Sequence, residues 1–338
     1  MVSTSVGLGR YVASEFDVLS MPRGYQPNGT IRGIVYCHAF GELGTSLHSF
    51  TNGPNKAQIM RALGEVYPII GFDCGTFNQG GATDSNGWTN ANSLTRLGQA
   101  ITWLQNVNGG GAKTGKVALV GYSMGHALAL AYAQANPANV SCILGLLPVN
   151  DLDDIRDNNR GTLRASIGTA FIRVDTNCGT TNASPTVTDP AIVASDVGRA
   201  ITGPNIPANS FVGTVTPGVS FLLSSSASSQ VNVNATGTLA AQTMTLTPTW
   251  VSAAYPALPA TANPAKVANQ TNLINIPQLI QYANDDAVCV PATATALIAN
   301  IGVKCTGVNL GNVGGHVDAA LAGVSIPSLL SFFATNNT

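Results

Sequence analysis

The segment Gly121-Tyr122-Ser123-Met124-Gly125 constrains the fold of this chain more than any other. It follows the apolar run Lys116-Val117-Ala118-Leu119-Val120 and leads into the alanine-rich stretch from Ala127 to Ala135, which predicts a strand, a sharp turn and a helix in immediate succession. A serine at the apex of such a turn has its hydroxyl pushed away from the backbone. A side chain at either flanking glycine would collide with the strand or the helix. Ser123 is therefore a candidate nucleophile, and the segments on either side of the five-residue motif carry that reading more than the motif itself.

A serine hydroxyl is a weak nucleophile near neutral pH, so this reading requires an imidazole to take its proton and a carboxylate to hold that imidazole in one tautomer. The chain has four histidines. His316 lies in Gly314-Gly315-His316-Val317-Asp318, after Gly307-Val308-Asn309-Leu310, which reads as a last strand running into a loop. His126, in the first turn of the helix after the serine, is expected to pack, His38 to shape its own loop, and His48 to face solvent. Ile276 to Tyr282 predicts a further strand that ends at Asn284-Asp285-Asp286. Either aspartate suits the acid, and either could instead cap the helix that starts near Pro291. Asp151, Asp153 and Asp154, after the strand Val140 to Leu147, form a second set of candidates. Asp318 is too near His316 in sequence to orient it easily.

Together these segments resemble the α/β-hydrolase family over about residues 10 to 175 and 250 to 335. In that family the nucleophile, acid and base follow one another in the order Ser, Asp, His, the order of Ser123, Asp285 or Asp286, and His316. The family pattern favours Asp286 over Asp285, because its acid tends to be followed by one variable and two apolar residues, here Ala287, Val288 and Cys289. Cys37-His38-Ala39-Phe40-Gly41 stands where family members usually carry His-Gly after their third strand, with Ala39 in place of the glycine. By that match the backbone N–H groups of Phe40 and Met124 form an oxyanion hole. The implied activity is that of a serine esterase or lipase-like enzyme with an ester substrate and no cofactor or metal.

Alternating strands and helices along most of the chain predict a mostly parallel sheet flanked by helices. The pattern breaks after about Thr176. From there to Thr249 the only charged residues are Asp189, Asp196 and Arg199, and short β-prone runs are punctuated by Pro, Gly and Ser. This predicts an all-β insertion, a small sandwich or barrel, and a division into residues 1–175, 176–249 and 250–338. The insertion is also similar to small β modules of virion and tail proteins of bacteriophages that infect actinobacteria. That resemblance implies a tail-associated esterase acting on cell-envelope lipid or glycan esters. It equally allows a tail adhesin or receptor-binding protein built on a hydrolase scaffold.

Composition narrows the partners. Charged residues make up only 9% of the chain, against about a quarter in an average domain, and the net charge is −1 with no basic cluster. Nucleic acid and anionic membranes are therefore poor partners. Gly109-Gly110-Gly111 lacks the Lys-Ser pair of a phosphate-binding loop and reads as a connector. No stretch reaches the length of a membrane span, and residues 1–10 lack the pattern of a secretory signal. The expected location is accordingly extracellular or virion-associated without a signal peptide, with the cytoplasm as the alternative. The six cysteines lack metal-type spacing and are expected to be mostly free thiols in the core.

Overall fold

The structure is a computed structural model and describes residues 18–48, 53–74, 76–77, 83–84, 88–158, 167, 170–229, 231–249 and 270–338. The chain forms two compact units, one drawn from Met1–Asp154 and Ala260–Thr338, the other from Ile155–Pro259.

The first unit is built on a sheet of seven strands among the described residues: β1 Val18–Ser20, β2 Ile34–Cys37, β3 Ile69–Phe72, β4 Val117–Tyr122, β5 Val140–Leu146, β6 Gln278–Tyr282 and β7 Cys305–Asn309, in the order β1-β3-β2-β4-β5-β6-β7. All neighbours pair in parallel except β1, which runs antiparallel to β3. The strands β2 to β5 are buried at every position, as expected of a sheet covered on both faces, and they read as continuous apolar runs rather than alternating ones. The apolar runs Ile31 to Cys37 and Tyr67 to Phe72 predict longer strands than form there. β2 begins at Ile34 instead of Ile31 and β3 at Ile69 instead of Tyr67. Most of the strand expected over Tyr11 to Leu19 lies outside the described residues.

The helices that accompany the sheet are α1 Pro54–Gly64, α2 Ala91–Gln105, α3 Met124–Ala135, α5 Pro291–Ile301 and α6 Ile326–Asn336, while α4 Leu152–Asp157 spans the division between the two units. Asn90 caps α2, its side chain accepting the Ser93 N–H at 2.9 Å, and the helix buries Ser93, Leu97, Ala100, Ile101 and Leu104 at helical spacing. Every residue of α3 from Met124 to Ala133 is buried, which explains why the helix after Ser123 is rich in Ala and Leu and carries no charged residue. Ile34, Tyr36, Val120, Leu144, Leu279 and Phe333 belong to one continuous core, so the strand ends that bear the candidate residues rest on packed material.

The second unit contains a closed antiparallel barrel. Its strands run Ala200–Thr202, Ser210–Thr216, Ser220–Ser224, Thr186–Thr188, Arg173–Thr180 and Leu239–Thr247 around the ring. Cys178, Val187, Ile201, Val212, Phe221, Leu223, Met244 and Leu246 fill its interior. Arg173 is held by three buried carboxylates, at 2.6 Å from Asp175, 2.6 Å from Asp196 and 3.4 Å from Asp189. Burial keeps the Asp189 carboxyl above the usual range. The closed barrel is the second of the two forms that the run of short β segments allows. All six cysteines are buried, and none of them is in a disulfide. Among the described residues no helix is long and apolar enough to cross a membrane.

Candidate active site

Ser123 sits between β4 and α3 with φ 50° and ψ −116°, a conformation that side chains rarely adopt. The surrounding structure holds it there. Its N–H donates to the Leu146 carbonyl at 3.0 Å, and its own carbonyl accepts the N–H groups of His126 at 3.0 Å and Val149 at 3.1 Å. A Cβ at Gly121 would overlap the His126 backbone, and one at Gly125 the carbonyls of Cys37 and His38. Both glycines of the motif are thus required by close backbone approach.

The loop after β7 brings His316 to this turn. The Ser123 hydroxyl and His316 Nε2 are 2.8 Å apart, and His316 Nδ1 lies 2.7 Å from Asp286 Oδ2. A carboxylate only accepts, so the proton belongs on Nδ1, and the Nε2 lone pair is left to accept from the serine hydroxyl. Asp286 is itself fixed. Its other oxygen accepts the N–H groups of Val288 at 2.9 Å and Cys289 at 2.7 Å, and the residue is buried. Asp286 therefore organises the start of the loop before α5 with one oxygen and meets His316 with the other. Asp285 does not meet His316. It is exposed, and its oxygens accept the N–H groups of Val313 at 3.1 Å and Gly314 at 2.8 Å, which hold its carboxyl below the usual range.

An arrangement of this kind can relay a proton away from a serine hydroxyl and return it to a leaving group. Asp286, Cys289 and His316 also place their donor atoms within 4.8 Å of one another, as a metal site would require. The atoms of Asp286 and His316 are already engaged with each other and with Ser123.

A family model described as the alpha/beta hydrolase fold matches residues 34–189. Est1E from Butyrivibrio proteoclasticus superposes with a TM-score of 0.50 at 11% identity, covering 94% of each chain. The chain has the α/β-hydrolase fold. The esterase domain of a Rhodothermus marinus protein is similar at 15% identity, with a TM-score of 0.45 and 95% and 92% of the two chains covered. No curated protein matches the sequence.

Within this hydrolase fold the remaining expected site residues occupy the same strand ends. Met124 is the first residue of α3, where helix geometry leaves the N–H without an intrahelical acceptor. Phe40 follows Ala39, whose own N–H is turned to Glu42 Oε2 at 3.4 Å. The Phe40 ring lies 6.4 Å from that of Trp88. His38 is fully buried, with Nδ1 2.8 Å from the Ala39 carbonyl and Nε2 accepting the Cys74 N–H at 3.0 Å. His126 is also fully buried, against the sheet. The side chain of His48 lies outside the described residues. In the second set of aspartates, Asp151 accepts the Asp153 N–H at 2.9 Å and so caps the start of α4.

Two residues near the site, Glu42 and Lys56, escape sequence reasoning, and so does the capping role of Asp318, which sequence weighs only against His316. Asp318 accepts the first N–H groups of α1 from 263 residues away. A Gly-Pro start to α1 with no capping side chain of its own was the one local signal that a distant acceptor is needed there.

Proposed function

We propose that the protein is a serine carboxylic ester hydrolase in which Ser123, His316 and Asp286 act as the catalytic triad. The observation that carries this reading is the unbroken hydrogen-bonded line from Ser123 Oγ through His316 to Asp286, at 2.8 and 2.7 Å, on a strained turn that holds the serine in place. Ser123 Oγ attacks the ester carbonyl carbon while its proton passes to His316 Nε2, and Asp286 stabilises the imidazolium. The N–H groups of Phe40 and Met124 hold the oxyanion, a contribution of about 3 kcal/mol per donor in such sites. Collapse of the intermediate breaks the ester C–O bond, and the alcohol leaves with the proton from His316. Water then attacks the acyl-serine with His316 as base, which releases the acid and restores Ser123.

The test is Ser123→Ala assayed on p-nitrophenyl butyrate: turnover should fall by about 10⁴-fold or more, and an undiminished rate would reject the assignment. A fluorophosphonate probe should label the parent covalently at Ser123.

For the substrate in its natural setting, the reading extends to envelope lipid or acetylated glycan esters, cleaved by a tail-associated enzyme. The low charge of the chain and the resemblance of the insertion to phage modules support this. A second reading, a tail adhesin on a hydrolase scaffold, draws on the barrel being a compact unit with a core of its own. Binding of intact protein to actinobacterial envelopes without labelling by the probe would favour the adhesin.

A further inference from the structure

Lys56 is fully buried, an unusual place for a lysine, and the chemistry above makes no use of it. Its Nζ pairs with Glu42 Oε1 at 2.5 Å and lies 5.5 Å from the centroid of the Tyr122 ring. Both contacts lead to the site. The second oxygen of Glu42 accepts from the Ala39 N–H at 3.4 Å, the Tyr36 hydroxyl at 3.1 Å and the Ser46 hydroxyl at 3.0 Å, so this carboxylate organises the loop that carries Phe40. Tyr122 is the residue immediately before Ser123.

The backbone around Lys56 provides a third connection. Asp318, two residues after His316, accepts the N–H groups of Asn55 and Lys56, each at 2.9 Å, and the Asn55 side-chain amide at 3.0 Å. Gly53 shows how closely these groups converge: a Cβ there would lie 3.1 Å from Asp318 Oδ1 and 3.2 Å from Lys56 Nζ. The same charges reach Tyr122, whose hydroxyl is pushed well above its ordinary pKa, first by burial and then by Glu42 and Asp318.

We infer that Lys56 is a positioning residue: from the first turn of α1 it ties the oxyanion loop, through Glu42, to the segment before Ser123 and to the histidine loop anchored by Asp318. This inference rests on the triad reading. A buried ion pair contributes little stability over an apolar pair of the same volume. What it adds here is direction, because Glu42 can satisfy the ammonium, the Ala39 amide and two hydroxyls only with the loop in one conformation.

The test compares Lys56→Met, Glu42→Gln and the combined variant in kcat, KM and unfolding midpoint, with p-nitrophenyl butyrate as substrate. Lys56→Met alone leaves Glu42 buried without its cation and can fail to fold, whereas the combined variant removes both charges and should recover a midpoint near the parent's. Positioning predicts that the folded combined variant still loses about tenfold or more in kcat, with KM within about twofold, because the oxyanion donors act chiefly in the transition state. A folded combined variant with kcat within about twofold of the parent overturns the inference. Should the combined variant not fold, Glu42→Gln, which keeps shape and an acceptor, gives the same decision: a loss of kcat at unchanged KM supports the role, and parental kcat overturns it. Ser123→Ala assayed alongside separates the two readings. If it retains activity, the triad itself is wrong; if it is inactive while the folded Lys56 and Glu42 variants are fully active, only the role of Lys56 fails.

Discussion

Asp285 and Asp286 are neighbours with the same side chain, yet their surroundings give them different work. Asp286 is buried and divides its oxygens between His316 and two amides, whereas Asp285 is exposed and pins the Val313-Gly314 backbone. Asp286→Asn replaces an acceptor with a group that can also donate, which no longer enforces the Nδ1–H tautomer of His316. Its kcat on p-nitrophenyl butyrate should fall by about 10³- to 10⁴-fold, while Asp285→Asn should stay within about threefold of the parent. Equal losses in the two variants would show that the assignment of the acid is wrong. The run of apolar residues after Asp286 already favours it in sequence. The reason becomes visible only in the fold, where the turn from Asp286 to Cys289 buries one carboxylate and leaves the other in water.

At the scale of elements, α3 packs on β5 through His126, which stands over Gly145. A Cβ at Gly145 would come 2.8 Å from the imidazole, so the sheet is thinned to admit the ring. Burial lowers the pKa of His126 to about 4, an effect only partly offset by the Val149 backbone and the Asn150 side chain. The unfolded chain titrates this group near 6.5, so between those values the unfolded state binds more protons than the folded one. The stability that depends on a neutral His126 is therefore fully present above about pH 6.5 and is lost as pH falls toward 4. Urea denaturation at pH 7 and pH 4.5 should show the parent losing about 2–3 kcal/mol more than His126→Leu. Equal losses would mean that the ring is not held neutral. The packing role of His126 is legible from its place in the first turn of an apolar helix. Its partner Gly145 is not, because nothing local to β5 marks which strand residue must lack a side chain.

At the scale of the whole molecule, the first and last strands of the insertion's barrel pair with each other. Arg173 stands opposite Leu246 in antiparallel register, so the barrel's first and last strands end beside each other. With its own core and the Arg173 carboxylate cluster, the fragment Ile155–Pro259 should fold alone. Circular dichroism should give a β signature and one cooperative thermal transition; a featureless melt would show that the barrel depends on the rest of the chain. The break in periodicity near Thr176 makes the insertion visible in sequence, while closure into a barrel depends on long-range pairing that short β-prone runs do not encode one by one. What the sequence determined by itself was local: the strand, turn and helix around Ser123, the alternation that builds a mostly parallel sheet, and the all-β character of the insertion. These follow from sterics and residue spacing within a dozen positions. Only the tertiary structure decided which aspartate reaches His316, 30 residues away, and that Asp318 caps α1 across 263 residues. It alone decided, too, that Lys56 is buried against Glu42. Such distances are set by which strands become neighbours in the sheet, and that depends on the packing of the entire core.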